Sequence, residues 1–393
     1  MLKYQKKKNK TIKAIKAIDL FSGAGGFSLA ALELNIEIIL ALELDKDACE
    51  TYKHNLIAGR QRNIRLINDD INNISAIKLM NELGLTPNEL DIIIGGPPCQ
   101  GFSSHRIKNQ GVDDPRNNLL IRYFDFVNIL RPKLFLVENV PGLLWERHKS
   151  YLEKFKELAL GSGYDLHEPV KLNAKDYGAP QNRNRVFLLG VRNDIINPDI
   201  VWPPQPTHFK DKTPYYKISS EVFAPPSKHT LNNISQTLGP QLSSTLKFGN
   251  PITENDPCNI HMNHADYMID RFSLTPINGS REDTPFCLPC HQNNYSGHKD
   301  VYGRIRLGQA GPTITTGCFN PSKGRFLHPW ENHGITIRHA ARFQTFPDDY
   351  IFKGGIISQG RQVGNAVPVK MGAELLKTCI NILKVNEDNS NEE

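Results

Sequence analysis

The chain has 393 residues, a net charge of +6, 39% hydrophobic and 22% charged residues. That fits a soluble globular protein with enough chain for two domains, and no apolar run approaches the ~18 residues of a membrane span. Seven cysteines, odd in number and scattered, exclude a disulfide framework and point to a reducing cytoplasm.

Residues 1–14 form a basic arm with lysines at 3, 6, 7, 8, 10 and 13 and without the apolar core of a signal peptide. Such a run is a solvated tail or a contact for a polyanion. From 15 to 199 the pattern alternates. Strands are predicted at 17–21, 36–42, 64–67, 91–95, 134–138 and 186–191, and helices at 27–34, 46–55, 118–130 and 149–160. Short apolar runs separated by helices predict an α/β fold whose mostly parallel sheet is covered on both faces. Prolines 198, 203, 204, 206, 225 and 226 then break the pattern, and residues 200–345 read as a smaller irregular or β-rich domain. Residues 346–385 return to the first domain with a helix at 369–385, and 386–393 form an acidic, frayed tail.

Two sequence features carry chemistry on their own account. After the first strand comes Asp19-Leu20-Phe21-Ser22-Gly23-Ala24-Gly25-Gly26-Phe27. Its glycines allow a tight turn or the close approach of a ligand. The acid Glu43 ends the second strand, where a carboxylate can accept from both ribose hydroxyls, and Asp70, before Ile71, follows the third and suits an adenine amino group. The loop lacks a cation for a pyrophosphate and lacks the third glycine of dinucleotide binders, which favours S-adenosylmethionine over a nicotinamide cofactor. After the strand at 91–95, Gly96-Pro97-Pro98-Cys99-Gln100 ends the extended run rigidly. Cys99 then stands at the carboxyl edge of the sheet as a nucleophile, or packs as an inert core thiol.

Four more segments fall at or near strand ends: Glu138-Asn139-Val140, Gln181-Asn182-Arg183-Asn184-Arg185, Phe343-Gln344-Thr345-Phe346-Pro347-Asp348 and Gln362-Val363-Gly364-Asn365-Ala366-Val367. Singly they read as a salt-bridged strand end, surface charges and turn residues. In this order, with the Pro-Pro-Cys-Gln run, they resemble the cytosine-C5 DNA methyltransferase family of bacterial restriction–modification systems, over most of 15–195 and 305–375. The resemblance implies a Rossmann-like S-adenosylmethionine-dependent methyltransferase fold with a target recognition domain at 200–345. It implies that Cys99 attacks C6 of a cytosine flipped out of duplex DNA, that Glu138 serves N3, that Arg185 holds O2 and that Arg183 supports the site or the phosphates. It assigns Phe21, Gly23, Gly25, Gly26, Glu43, Asp70, Ile71, Pro98, Asn365 and Val367 to the cofactor. Leu44 departs from the family, which often has an aromatic there. Arg106 and Arg116, in the polar stretch after the nucleophile, and Arg304, in the recognition domain, are expected to contact DNA. Expected partners are duplex DNA and a separately acting restriction endonuclease, with the enzyme itself a monomer.

An RNA cytosine methyltransferase and a catalytically inactive DNA-binding module are the rival readings. A recognition domain of this size favours DNA, and the intact Cys99, Glu138 and Arg185 set favours catalysis. Cys258-x-x-His261 and Cys287-x-x-Cys290 have zinc-ligand spacing, with His264 and His291 nearby. Such pairs also arise by chance, and with a long gap between them the expectation is cysteines packed in a small core without metal.

Overall fold

The computed structural model describes residues 14–60, 62–98, 118–195, 201–285 and 300–389, the last five as backbone only. Eight strands make one sheet: β1 (Lys16–Leu20), β2 (Glu37–Glu43), β3 (Arg65–Asn68), β4 (Ile92–Gly95), β5 (Leu134–Asn139), β6 (Tyr164–Leu166), β7 (Val170–Asn173) and β8 (Asn184–Arg192). The order is β3-β2-β1-β4-β5-β8-β6, and β7 also pairs with β8. The first five strands run parallel. β8 is antiparallel to β5, and β6 and β7 are antiparallel to β8. Helices α1 (Gly26–Glu33), α2 (Lys46–Tyr52), α3 (Ala76–Glu82), α4 (Asn118–Leu130) and α5 (Lys149–Gly161) fill the first half. Then come α6 (Lys228–Leu238), α7 (Pro240–Ser243), α8 (Asp266–Ser273), α9 (Ile337–Phe343), α10 (Ile356–Asn365) and α11 (Val369–Asn389).

The central strands read as continuous apolar runs because both their faces are covered. Side chains alternate between two cores. Ile92, Ile94, Leu134 and Leu136 join Phe27 of α1 and Leu375 of α11 on one face. Ile93, Phe135 and Val137 join Phe124 of α4 and Phe155 of α5 on the other. There Phe124, Phe135 and Phe155 meet edge to face with ring centroids 5.4–5.9 Å apart, each pair worth roughly 0.5–1.5 kcal/mol beyond burial. Gly190 sits opposite Phe135 in the ladder. A Cβ there would lie 2.0 Å from the Phe135 ring, so only glycine admits that aromatic.

The six expected strands are present. β6, β7 and α3 are additional elements. β6 and β7 are short and partly exposed, Tyr-Asp-Leu and Val-Lys-Leu-Asn, and gain their regularity from pairing with β8 rather than from an apolar pattern. Between 201 and 336 the described backbone is irregular. Its extended segments make only isolated bridges, such as Phe209 with Tyr215 and Arg304 with Leu327, and its regular elements are helices. No helix among the described residues is long and apolar enough to cross a membrane.

The strand order sets the location of a site. β1 leads on to β2 on one side and lies beside β4 on the other, so the connections leaving β1 and β4 diverge at a topological switch point. In such sheets the crevice at the carboxyl ends of those strands receives the ligand. The glycine loop leaves β1 there, and Gly96-Pro97-Pro98 leaves β4 there.

Candidate active site

At the end of β1 the backbone enters the left-handed region three times, at Phe21 (φ 60°), Gly23 (φ 54°) and Gly25 (φ 87°). This coil folds back on the end of β2. The Gly23 N–H donates to Glu43 Oε2 and the Asp45 N–H to Glu43 Oε1, both at 2.8 Å. Burial raises the Glu43 carboxyl above its ordinary range, and the backbone donors at Asp45 and Gly23 pull it back down. A Cβ on Gly23 would meet nothing within 4 Å, so open space lies over the loop beside this carboxylate. Gly26 is opposite in character: a Cβ there would come 2.7 Å from the carbonyl oxygen of Val367. The loop and the segment after α10 are therefore in direct backbone contact. Asn365 is exposed at the end of α10, whereas Val367 is buried.

Asn68 joins β3 to this edge, its amide donating to the carbonyls of Glu43 and Leu44 at 3.1 and 2.9 Å. Asp70 caps its own 3₁₀ turn by accepting from Asn72 N–H at 2.8 Å, with Ile71 buried behind it. Leu44 is 64% exposed, an apolar surface at the mouth of the crevice. Pro98 is exposed as well.

Beneath the loop lies a network absent from the sequence-based expectations. Asp19 is buried on β1 and accepts from Ser28 Oγ at 2.6 Å, and Ser28 Oγ accepts from the Tyr52 hydroxyl at 2.8 Å. A carboxyl inside an apolar strand is the one sequence signal for it. Burial pushes Asp19 up to about 7 from an ordinary 3.8, partly offset by the Ser28 bond and reinforced by Glu43. A carboxyl raised on folding stabilises the native state below its unfolded value, and that contribution is lost as pH rises through about 7. Asp19→Asn keeps the acceptor for Ser28 and never ionises. Its urea midpoint is expected to exceed that of the unsubstituted protein near pH 8, with the gap narrowing near pH 5. An equal gap at both values removes Asp19 as the titrating group. The comparison between the two proteins cancels buried histidines such as His339, which burial holds down at about 3 in both.

The second half of the site is at the end of β5. Gly95 is level with Val137, which brings Gly96 beside Glu138. A Cβ on Gly96 would lie 3.2 Å from Glu138 Oε2. Glu138 faces Phe187 across the ladder, so Arg185 is its diagonal neighbour on the same face. Arg185 Nε reaches Glu138 Oε1 at 2.7 Å, with 14% and 11% of the two side chains exposed. Burial lowers the Arg185 guanidinium and Glu138 restores part of the loss. Asn139 Oδ1 accepts from Val140 N–H, while its buried Nδ2 has no partner among the described residues.

The remaining motif segments meet in a buried polar knot. Gln181 Nε2 donates to Phe343 O and Gln344 Oε1, and Gln181 Oε1 accepts from Ile314 N–H. Gln344 Nε2 donates to Val363 O and Ala366 O. Arg183, fully buried, donates to the carbonyls of Ile314, Gly364 and Ala366 at 2.8–3.0 Å. It thus ties the start of β8 to the segment that touches Gly26.

Arg304 requires a correction. It is 3% exposed, and Nε, Nη1 and Nη2 donate to Thr275 O, His328 O, Glu331 O, Phe272 O and Asn332 Oδ1. All five N–H groups of a guanidinium are used, so Arg304 is a hub of the irregular lobe and has none left for DNA. Cys258 is buried, and its sulfur accepts from Phe352 N–H at 3.2 Å. Cys99, Arg106, Arg116, Cys287 and Cys290 lie outside the described residues.

A mostly parallel sheet, a glycine loop at its switch point and a carboxylate ending β2 define the Rossmann-like methyltransferase fold. The protein family described as C-5 cytosine-specific DNA methylase matches residues 15–381. The type II methyltransferase M1.HphI of Haemophilus parahaemolyticus is 32% identical over 373 residues, covering 94% of this chain and 87% of that protein. M.DdeI of Desulfomicrobium norvegicum is 31% identical over 398 residues, covering 95% and 91%. Among solved structures, a prophage-encoded E. coli protein described as a DNA modification methyltransferase superposes with a TM-score of 0.66 at 24% identity, covering 94% of this chain and all of that one. The chain belongs to the C-5 cytosine-specific DNA methylase family. It is a DNA cytosine-C5 methyltransferase whose methyl donor is S-adenosylmethionine.

Proposed function

We propose that the chain is the modification enzyme of a restriction–modification pair, acting as a cytoplasmic monomer on a cytosine flipped out of one short duplex sequence. The observation that carries the active-site assignment is the Glu138–Arg185 pair, 2.7 Å apart at the carboxyl end of β5 and against Gly96, three residues before Cys99.

Extrusion of the base costs a few kcal/mol of unstacking. The Cys99 thiolate then bonds to C6. Electron density moves toward N3 and O2, where Glu138 supplies or shares a proton at N3 and Arg185 holds O2. C5 becomes nucleophilic toward an electrophilic methyl group, which would leave its donor as a neutral thioether. Loss of the C5 proton, with its electron pair returning to the ring, expels the Cys99 sulfur and restores aromaticity. Arg183 acts as a positioning residue, because its carbonyl partners fix the strand that bears Arg185.

Phe21, Gly23, Gly25, Gly26, Glu43, Asp70, Ile71, Pro98, Asn365 and Val367 are assigned to the cofactor. The open space over Gly23, the adjacent Glu43 carboxylate and a loop without lysine or arginine fit a ribose-bearing cation better than a phosphate ester. When bound, S-adenosylmethionine supplies an electrophilic methyl group. Glu43 keeps acceptor capacity for ribose hydroxyls after bonding Gly23 and Asp45, and the exposed Leu44 offers the adenine an aliphatic contact.

Expression in a host without cytosine methylation, followed by bisulfite sequencing of its DNA, tests the assignment. The expected result is 5-methylcytosine at a single recurring sequence. Unmodified DNA from cells that hold folded enzyme, or methylation confined to RNA, would overturn it.

A further inference from the structure

Helix α6 has an unusual surface. Ile234 is its only buried side chain among the described residues of the helix. On the outside His229, Asn232, Asn233 and Gln236 are all exposed. Their spacing of i, i+3, i+4 and i+7 sets them in one stripe along the helix. Ser227 caps the start, its Oγ accepting from Thr230 N–H at 3.2 Å, and Gly239 ends the helix at φ 78°.

The stripe is poor in helix formers. Exposed positions that serve only solubility favour Glu, Lys and Gln over Asn, His and Thr. Acidic residues are absent from 222 to 253, although 41 in 393 residues would place about three in such a stretch. Lys228 and Lys247 are exposed within it. The helix also connects to the catalytic strand. Leu242 of α7 packs where a Cβ on Gly308 would come within 2.6 Å, and Arg306, two residues earlier, is exposed. Gly311 then exchanges backbone hydrogen bonds of 2.8 Å with Pro180 and Asn182, just before Arg183 and Arg185.

We infer that α6 enters the major groove of the substrate duplex and reads base edges through His229, Asn232, Asn233 and Gln236, while Lys228, Lys247 and Arg306 hold phosphates. The side-chain amides of Asn and Gln pair a donor with an acceptor in fixed geometry, which matches N6 and N7 of adenine. A helix about 10–12 Å across fits a groove about 12 Å wide. A face without carboxylates meets the phosphates without repulsion. The inference rests on the assignment of residues 200–345 to target recognition.

The test uses full-length protein and the duplex identified by sequencing. Asn233→Ala and Gln236→Ala are each expected to lower kcat/KM on that duplex roughly ten- to hundredfold, and to erode preference over a duplex with one recognition base pair changed. Arg306→Ala is expected to weaken both duplexes alike and to flatten the salt dependence of binding. Melting curves and S-adenosylmethionine affinity matching the unsubstituted protein verify that the fold and the cofactor crevice are intact. Unchanged preference and kcat/KM in both amide variants overturns the inference. An unsubstituted protein that methylates no DNA overturns the function itself and takes this inference with it, so the two failures are distinguishable.

Discussion

Cys99→Ala is expected to reduce methyl transfer by on the order of 10⁴-fold or more, the scale seen when a catalytic unit loses an essential member. The pyrimidine ring is a poor nucleophile at C5 until something adds at C6, and neither Glu138 nor Arg185 can supply that addition. In the proposed mechanism they stabilise charge that appears only once a nucleophile has attacked. A duplex carrying 5-fluorocytosine at the target gives an independent readout. Methyl transfer to that base leaves fluorine at C5, where no proton can be lost, so the sulfur remains bonded to C6. The unsubstituted enzyme is expected to form a denaturation-resistant complex with this duplex in the presence of S-adenosylmethionine, and Cys99→Ala none. Cofactor affinity should be nearly unchanged, since the glycine loop and Glu43 stand on β1 and β2. Turnover by Cys99→Ala within tenfold of the unsubstituted enzyme would reject the covalent route.

The parts of this molecule legible in its sequence share one physical property. β4 and β5 announce themselves because strands buried on both faces must be apolar throughout, as Ile92–Ile94 and Leu134–Val137 are. Glu43 is readable because it stands where such a run stops, whereas Glu138 and Arg185 read singly as a strand-end salt bridge and a surface charge and are picked out only by the family resemblance. The contents of the irregular lobe were not readable in this way. Arg304 and Arg306 are two residues apart and chemically identical, yet one is sealed by acceptors drawn from 272, 275, 328, 331 and 332 while the other is exposed. Sequence records their charge and not their burial. Helix α6 is invisible for a related reason. Its short apolar stripe, Leu231, Ile234 and Leu238, buries only Ile234, and the His, Asn, Ser and Thr residues between them suggest a loop. The Asp19–Ser28–Tyr52 chain spans three elements, and its one local sign is a carboxylate in a strand.

The motif segments also explain one another once folded. Gln181, Arg183 and Gln344 bond to the backbone at 314, 343, 363, 364 and 366, so three of the four segments beyond the nucleophile run form one buried network. That network holds Val367 against Gly26 on one side and Arg185 beside Glu138 on the other. The residues proposed for the cofactor and those proposed for the base are thus joined by one hydrogen-bonded network.

Arg185→Met and Glu138→Gln test how far the pair works as a unit. Each alone is expected to lower kcat roughly 10²- to 10³-fold, the range for removing one preorganised donor to developing charge. Arg185→Met removes the group proposed to meet O2 and leaves the Glu138 carboxylate without its 2.7 Å partner in a largely buried site. Glu138→Gln keeps the shape, removes the proposed proton donor and leaves the guanidinium uncompensated. Because each single change also harms the surviving partner, the double variant should be much less impaired than the product of the two losses, with a coupling of about 1–3 kcal/mol. Single-turnover rates with saturating DNA and S-adenosylmethionine isolate the chemical step from binding. Multiplicative losses would mean that the two side chains act separately. Singles within threefold of the unsubstituted enzyme would remove both from the reaction and leave the pair as a clamp between β5 and β8.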